Sequence, residues 1–301
     1  MRLQLLSDLH LETENFEPQP APGAELLVIA GDIDSRWAGL ERFRGWPQPA
    51  VFVAGNHEYD GRDIDAALPE LRARCADLGI TMLERESLVV VDSAGTRVRI
   101  LGTTRWSDFD LFGAAGRAKA MRAGSYFMKL MQATRGGRPF DADAVRVEAL
   151  ACRAWLEREL KRPRDGWDRT VVVTHFAPSA KSADPRYGVR SGTASFCNDD
   201  DALIPFADLW LHGHLHCAHD YRVAHGGGAT RGVQRARPRA AWRSRGAPAV
   251  ARPRGLNGGR SRGNETRRRI RSPGSERRAP IQAVLHAVRG GGTLTCCNVD
   301  R

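Results

Sequence analysis

The sequence predicts an α/β fold over its first 225 residues, and two observations carry that expectation. Short apolar runs recur along it, each ending in a polar, glycine-containing or acidic turn, as strands buried on both faces do. Stretches of helical length and pattern lie between them. Residues 3–6, 26–30 and 51–54 are the first three such strands, with helices expected over 37–45 and 64–78. Residues 88–91 and 97–101 flank Ser93-Ala94-Gly95, which predicts a hairpin. From 143 to 160, Val145, Ala149, Cys152, Leu156 and Leu160 fall on one helical stripe that Asp141 or Asp143 can cap. Two further strands are expected over 171–174 and 208–212. Residues 103–140 fit no regular pattern. With Trp106, Phe109, Phe112, Tyr126 and Phe127 they are expected to pack as an insertion that caps the substrate side.

Charge divides the 301-residue chain. Beyond residue 225 lie 18 arginines and no lysine, opposed only by Glu265, Glu276 and Asp300; the first 225 residues keep a net −4. The formal net charge of +11 therefore belongs to the tail, which excludes reading the rest as a nucleic-acid binder on charge. No run approaches the roughly 18–20 apolar residues that span a bilayer. The first apolar stretch meets Asp8 and His10 where a signal peptide would continue. Cys75, Cys152, Cys197, Cys217, Cys296 and Cys297 show neither a metal-binding CxxC pair nor a disulfide framework, so a reduced, cytoplasmic setting is expected.

Histidines and carboxylates cluster just past the expected strands, where open α/β sheets build their sites. Asp8-Leu9-His10 follows the first strand, Gly31-Asp32 the second and Gly55-Asn56-His57-Glu58 the third; His175 and His212-Gly213-His214-Leu215-His216 follow the last two. In an extended segment, one intervening residue puts Asp8 and His10, or His214 and His216, on the same side. Glycine ahead of Asp32, Asn56 and His214 lets the backbone turn beneath the site. Singly, each piece reads as a surface histidine or a common turn. Together they form a mixed carboxylate, amide and imidazole set without thiolate, suited to divalent Mn, Fe or Zn.

These five blocks resemble the signature of the calcineurin-like metallophosphoesterase family, in particular its small bacterial members, over about residues 1–223. The resemblance implies a two-sheet αββα sandwich and two divalent metal ions. It implies one ion on Asp8, His10 and His216, the other on Asn56, His175 and His214, and Asp32 bridging them. A hydroxide shared by ions roughly 3.5–4 Å apart would attack phosphorus in line. His57 would stabilise developing charge or protonate the leaving oxygen. Glu58 and Tyr59 are expected to orient His57 or pack beneath it, Asp34 to be solvated and His212 to be structural. Where many relatives carry a second histidine after His175, this chain has Phe176, expected to alter the pocket wall only. A small phosphorylated substrate, with a phosphodiester or nucleotide favoured, fits the acidic core.

The chain divides into residues 1–231 and an Arg/Gly/Pro/Ala-rich tail, 232–301; from residue 226 on, those four residue types fill 46 of the 76 positions. Few large apolar residues occur there, so disorder is expected. Relatives continue through a G-T-R strand into a C-N-x-R-G segment. Here Gly228-Ala229-Thr230-Arg231 gives way to Gly232-Val233-Gln234-Arg235, and a one-base shift from Val233 permits Cys-Asn-Ala-Arg-Gly. That reading makes the tail a frameshift product whose loss of strand pairing would leave a sheet edge exposed. The alternative for the tail is a basic arm for nucleic acid carried by Arg267-Arg268-Arg269 and Arg277-Arg278; the alternatives for the function are a catalytically silent relative that binds a partner and a nuclease acting through that arm. A one-base correction near codon 232 is expected to restore a short, strand-rich ending. Translating the gene in all three frames tests this, and the lack of such an ending in either shifted frame overturns it.

Overall fold

The computed structural model describes residues 1–225, 228–234, 282–285, 288–289 and 292–293, with side chains described through Val223. Strands β1 (Arg2–Leu6), β2 (Leu26–Ile29), β3 (Ala50–Phe52) and β4 (Ile80–Met82) run parallel in that order. A hairpin of β5 (Glu86–Val91) and β6 (Arg97–Thr103) starts a second sheet. A small ribbon, β7 (Thr134–Arg135) with β8 (Arg138–Pro139), stands apart from both. The second sheet is completed by β9 (Arg169–Thr174), β10 (Leu209–His212), β11 (His219–His225) and β12 (Gly228–Gln234). Its order is β11-β12-β10-β9-β6-β5, parallel in the middle and antiparallel at both edges.

Alternation along the strands explains the layering. Leu3, Leu5, Leu26, Val28, Val51 and Val53 from the first sheet meet Val98, Ile100, Val171, Val173, Leu209 and Leu211 from the second in one buried cluster. The opposite faces are apolar too. Leu27, Ile29, Ala50 and Phe52 pack on α1 (Ile64–Asp77) through Ile64, Ala67, Leu71 and Cys75. Leu101, Val172 and Trp210 pack on α3 (Ala142–Leu160) through Trp155, Leu156 and Leu160. Strands buried on both faces read as continuous apolar runs, and the result is the two-sheet αββα sandwich.

Most expected elements lie within a residue or two of their places. Asp63 caps α1 and Asp141 caps α3, each accepting backbone N–H groups of the first turn. The helix expected over 37–45 is a single 3-10 segment, Ala38–Phe43. Within 103–140, a 19-residue helix, α2 (Gly113–Met131), was not expected. Only Ala120, Gly124 and Met131 of it are buried, while Tyr126, Phe127 and Leu130 face outward, so no apolar stripe marks it. Four pieces of the tail form strands: 232–234 end β12, β13 (Gln282–Leu285) covers the outer edge of β1 in parallel register, and β14 (Val288–Arg289) pairs antiparallel with β15 (Gly292–Thr293). The rest of the expected disordered tail lies outside the described residues. Among the described residues no helix is long and apolar enough to cross a membrane.

Gly124 shows why α2 escapes a propensity reading. A Cβ there would lie 2.6 Å from Phe109 Cε1 and 3.2 Å from Ser195 Oγ. Helix propensity alone makes Gly124→Ala stabilising by about 1 kcal/mol, but overpacking costs about 1–3 kcal/mol. Gly124→Ala is therefore expected to destabilise the protein, as a lower urea midpoint at unchanged slope; a raised midpoint would contradict the packing.

Candidate metal centre

The chemistry-bearing residues leave the carboxyl ends of parallel strands from both sheets and meet at the seam. Asp8 and His10 follow β1, Asp32 follows β2, Asn56 and His57 follow β3, His175 follows β9, and His214 and His216 follow β10. Loop-to-loop hydrogen bonds extend the sheets into the site. Asp8 N donates to Gly31 O (2.9 Å), His10 N to Asp32 O (3.1 Å) and Gly213 N to His175 O (3.0 Å).

The local geometry differs from the extended backbone assumed for the paired residues. Asp8, His10, Asp32, His214 and His216 all have positive φ, between 46° and 74°. Such left-handed residues are uncommon outside glycine and concentrate at functional sites. The side chains therefore converge through tight turns and not through strand alternation. Gly31 has φ +85° and a Cβ there would meet Gly55 N at 2.5 Å, while a Cβ at Gly55 would meet Asp32 Oδ1 at 2.2 Å.

Two groups of donor atoms result, each with its atoms within 4.8 Å of one another: Asp8, His10, Asp32 and His216, and Asp32, His175 and His214. Asp32 belongs to both. His175 Nδ1 donates to Ala30 O (2.8 Å), and its Nε2 lies 3.2 Å from Asn56 Oδ1 and 3.1 Å from Asp32 Oδ2. His10 Nδ1 is bound by Glu12 Oε1 (3.2 Å), and its Nε2 faces His216 Nε2 at 3.2 Å. His216 Nε2 in turn lies 3.4 Å from Asp8 Oδ1. Asp32 Oδ2 is buried, with His175 Nε2 at 3.1 Å as its ion-pair contact. Buried lone pairs aimed at one another are costly without a positive partner, and this donor set fits a pair of divalent cations.

Burial and charge act against each other here. Burial opposes ionisation of Asp8, yet the hydrogen bond and charge of His216 hold its carboxyl well below the usual range. Asp32 is likewise held low, against burial, by His175 and His57. Burial disfavours charge on His175, but Asp32 raises it to about 9. Burial and the neighbouring His175 bring His214 down to about 3, keeping a neutral imidazole. The His214 ring lies against Phe176 (centroids 4.1 Å) and Phe196 (5.0 Å). Phe176 thus packs directly on one of the clustered imidazoles.

Several neighbours have roles different from those expected. Glu58 does not orient His57: it is fully buried and accepts Asp32 N (2.9 Å), Ile33 N (2.8 Å) and Gly55 N (2.6 Å). Burial, with the Asp32 charge, pushes its carboxyl up to about 7. Asp60 is the residue that takes His57 Nδ1, at 2.8 Å, while His57 N donates to Asp32 Oδ1 (2.9 Å). Asp34 is buried and not solvated, accepting Arg36 N and Gly39 N to close the turn into the 3-10 segment. Tyr59, expected to pack, is buried against Trp106, and His212, expected to be structural, is buried and bound to Ser182 Oγ (2.9 Å), outside both donor groups. A carboxylate two or three residues from a histidine was the only signal for Glu12 and Asp60, and it is too common to single them out.

A family model for calcineurin-like phosphoesterases matches residues 1–218. The chain belongs to that family and is a metal-dependent phosphoesterase. Among solved structures it is similar to a phosphopantetheinyl hydrolase from Mycobacterium tuberculosis, with a TM-score of 0.60 and 20% identity over 77% of this chain and 87% of that one. At that identity the likeness speaks to the fold. The comparison with curated proteins gives no match.

Glu58→Ala would leave three buried N–H groups without an acceptor, at about 1–3 kcal/mol each. The expected outcome is a loss of at least about 3 kcal/mol in urea unfolding, together with weakened metal uptake by calorimetry. Wild-type stability in the variant would contradict this role.

Proposed function

We propose that the chain hydrolyses a small phosphodiester or nucleotide ester. In this reading Asp8, His10 and His216 hold one divalent ion, Asn56, His175 and His214 hold another, and Asp32 serves both. The observation that carries it is Asp32, buried at the junction of the two donor groups and shared by both. When bound, such a pair of ions supplies Lewis-acid activation of water and of the phosphoryl group. The N/O donor set, free of thiolate, suits Mn, Fe or Zn.

The remaining work falls to the chain. The Ala30 carbonyl keeps the proton of His175 on Nδ1, which leaves Nε2 free to ligate. The His214 backbone N–H, donating to both Asp8 oxygens at 2.8 and 3.0 Å, orients that carboxylate. With Asp60 on Nδ1, His57 has Nε2 to offer a proton to the departing oxygen. Its ring stands edge-on to His10 with centroids 5.2 Å apart and is more than one-third exposed, so a substrate can reach it. The net −4 of residues 1–225 favours a small ester over a polyanion. Because a phosphopantetheinyl hydrolase shares the fold, a phosphopantetheinyl ester belongs in the substrate panel.

The test is hydrolysis of bis(4-nitrophenyl) phosphate and 4-nitrophenyl phosphate with Mn²⁺ or a chelator. Turnover is expected to need metal and to fall by at least about 100-fold in Asp32→Ala. Metal content, by mass spectrometry, should drop below two ions per chain in the variant. Chelator-resistant turnover, or full metal loading of Asp32→Ala, would overturn the assignment. Metal loading without turnover on any ester would favour a silent binding relative.

A further inference from the structure

A cavity of about 250 Å³ opens beside the donor groups, lined by Asp184, Tyr187, Arg190, Thr193, Phe196 and Leu215 among others. It is continuous with the centre, because Leu215 sits between His214 and His216 and the Phe196 ring packs on the His214 ring. The aromatic surface extends further. Phe127 of α2 meets Phe196 edge to face at 5.1 Å, and Tyr126 meets Phe127 at 5.4 Å. Rings therefore run without a gap from exposed Tyr126 to His214.

The polar groups of the lining are largely engaged with one another. Both Asp184 oxygens accept from Arg186, the Arg190 Nε donates to Tyr187 O, and Thr193 Oγ1 accepts Arg190 N at 2.9 Å. A sugar or glycerol arm would lose its water here and find few partners in return, which is unfavourable. A flat apolar ring loses nothing by leaving water and gains contact with Tyr187, Phe196 and Leu215. Tyr187 is 63% exposed, which leaves its ring accessible for stacking although Arg186 lies over one face at 5.4 Å.

We infer that this cavity receives the organic arm of the substrate and selects a planar aromatic group on the leaving oxygen. The inference deepens the phosphoesterase reading above and rests on it for the position of the phosphoryl group. Hydrolysis then joins the oxygen of water to phosphorus and breaks the P–O bond to the aromatic arm, whose oxygen takes up a proton.

Phenylphosphonate and ethylphosphonate, which are not hydrolysed, separate ring recognition from leaving-group reactivity. As inhibitors of metal-dependent turnover, the phenyl compound should bind about 3- to 10-fold more tightly than the ethyl compound. That preference should shrink toward unity in Tyr187→Ala and in Phe127→Ala, a partly exposed position on α2 that guards against misfolding. In parallel, saturation-transfer NMR with phenylphosphonate in chelator should show protein contact at the ring protons, reduced in Tyr187→Ala. Equal inhibition by both phosphonates, or a preference untouched by both variants, overturns the inference while leaving the phosphoesterase reading intact. Ring contact in NMR without turnover of any ester would sink the phosphoesterase reading instead and keep the aromatic cavity.

Discussion

The centre depends on one buried carboxylate that is not itself in either donor group. Glu58 leaves the β3 loop and accepts the N–H groups of Asp32, Ile33 and Gly55, joining the loops after β2 and β3. Those bonds hold Asp32 at a positive φ and bring the Asp32 oxygens to the place where both donor groups meet. The backbone of His57 completes the tie by donating to Asp32. Without this brace the loop would have to satisfy three interior donors elsewhere, and the side chain shared by both groups would lose its fixed position.

Around that brace the protein concentrates groups that repel each other or resist burial. Asp8, Asp32 and Glu58 gather here with the imidazoles of His10, His57, His175, His214 and His216, and Asp8, His10, Asp32, Glu58 and His175 are buried. Burying such charges costs several kcal/mol per ion unless they are paired. The pairing is incomplete, since the His10 and His216 nitrogens face one another at 3.2 Å. A site that is under-satisfied as a protein interior is well formed as a cation site, because a divalent ion converts each of these contacts from repulsive to attractive. The two sheets, packed through a purely aliphatic interface, supply the rigid frame that keeps the donors converged.

Outside the centre, the wall changes character. Phe176 and Phe196 flank His214, and α2 continues the aromatic surface outward. The fully buried Arg105 pins this side of the molecule, pairing with Asp108 (2.8 Å) and with both oxygens of Asp200 (2.9 Å each) while Asn198 bonds its carbonyl. It links the loop after β6 to the segment that carries Phe196. A buried ion pair of this kind is weak evidence for net stability, but removing one partner would strand the other charge.

The strand positions, the two capped helices and the residues of the donor groups were legible in the chain because each rests on local signals. Apolar runs mark β1, β2 and β9, carboxylates mark the starts of α1 and α3, and the blocks Asp8/His10, Asp32, Asn56/His57, His175 and His214/His216 follow strand ends. What was not legible depends on contacts between distant segments. α2 has no apolar stripe because its aromatic residues face outward and Gly124 is needed by Phe109. Glu58 and Asp34 look like ordinary surface acids until loops 20 or more residues away, or a following turn, bring N–H groups to them. The left-handed turns at Asp8, His10, His214 and His216 likewise replace the alternation that spacing alone suggested. Local sequence determined which residues could carry the chemistry and roughly where each strand ends. Tertiary structure decided how they face one another, because backbone conformation at those ends is set by hydrogen bonds across the seam of two sheets.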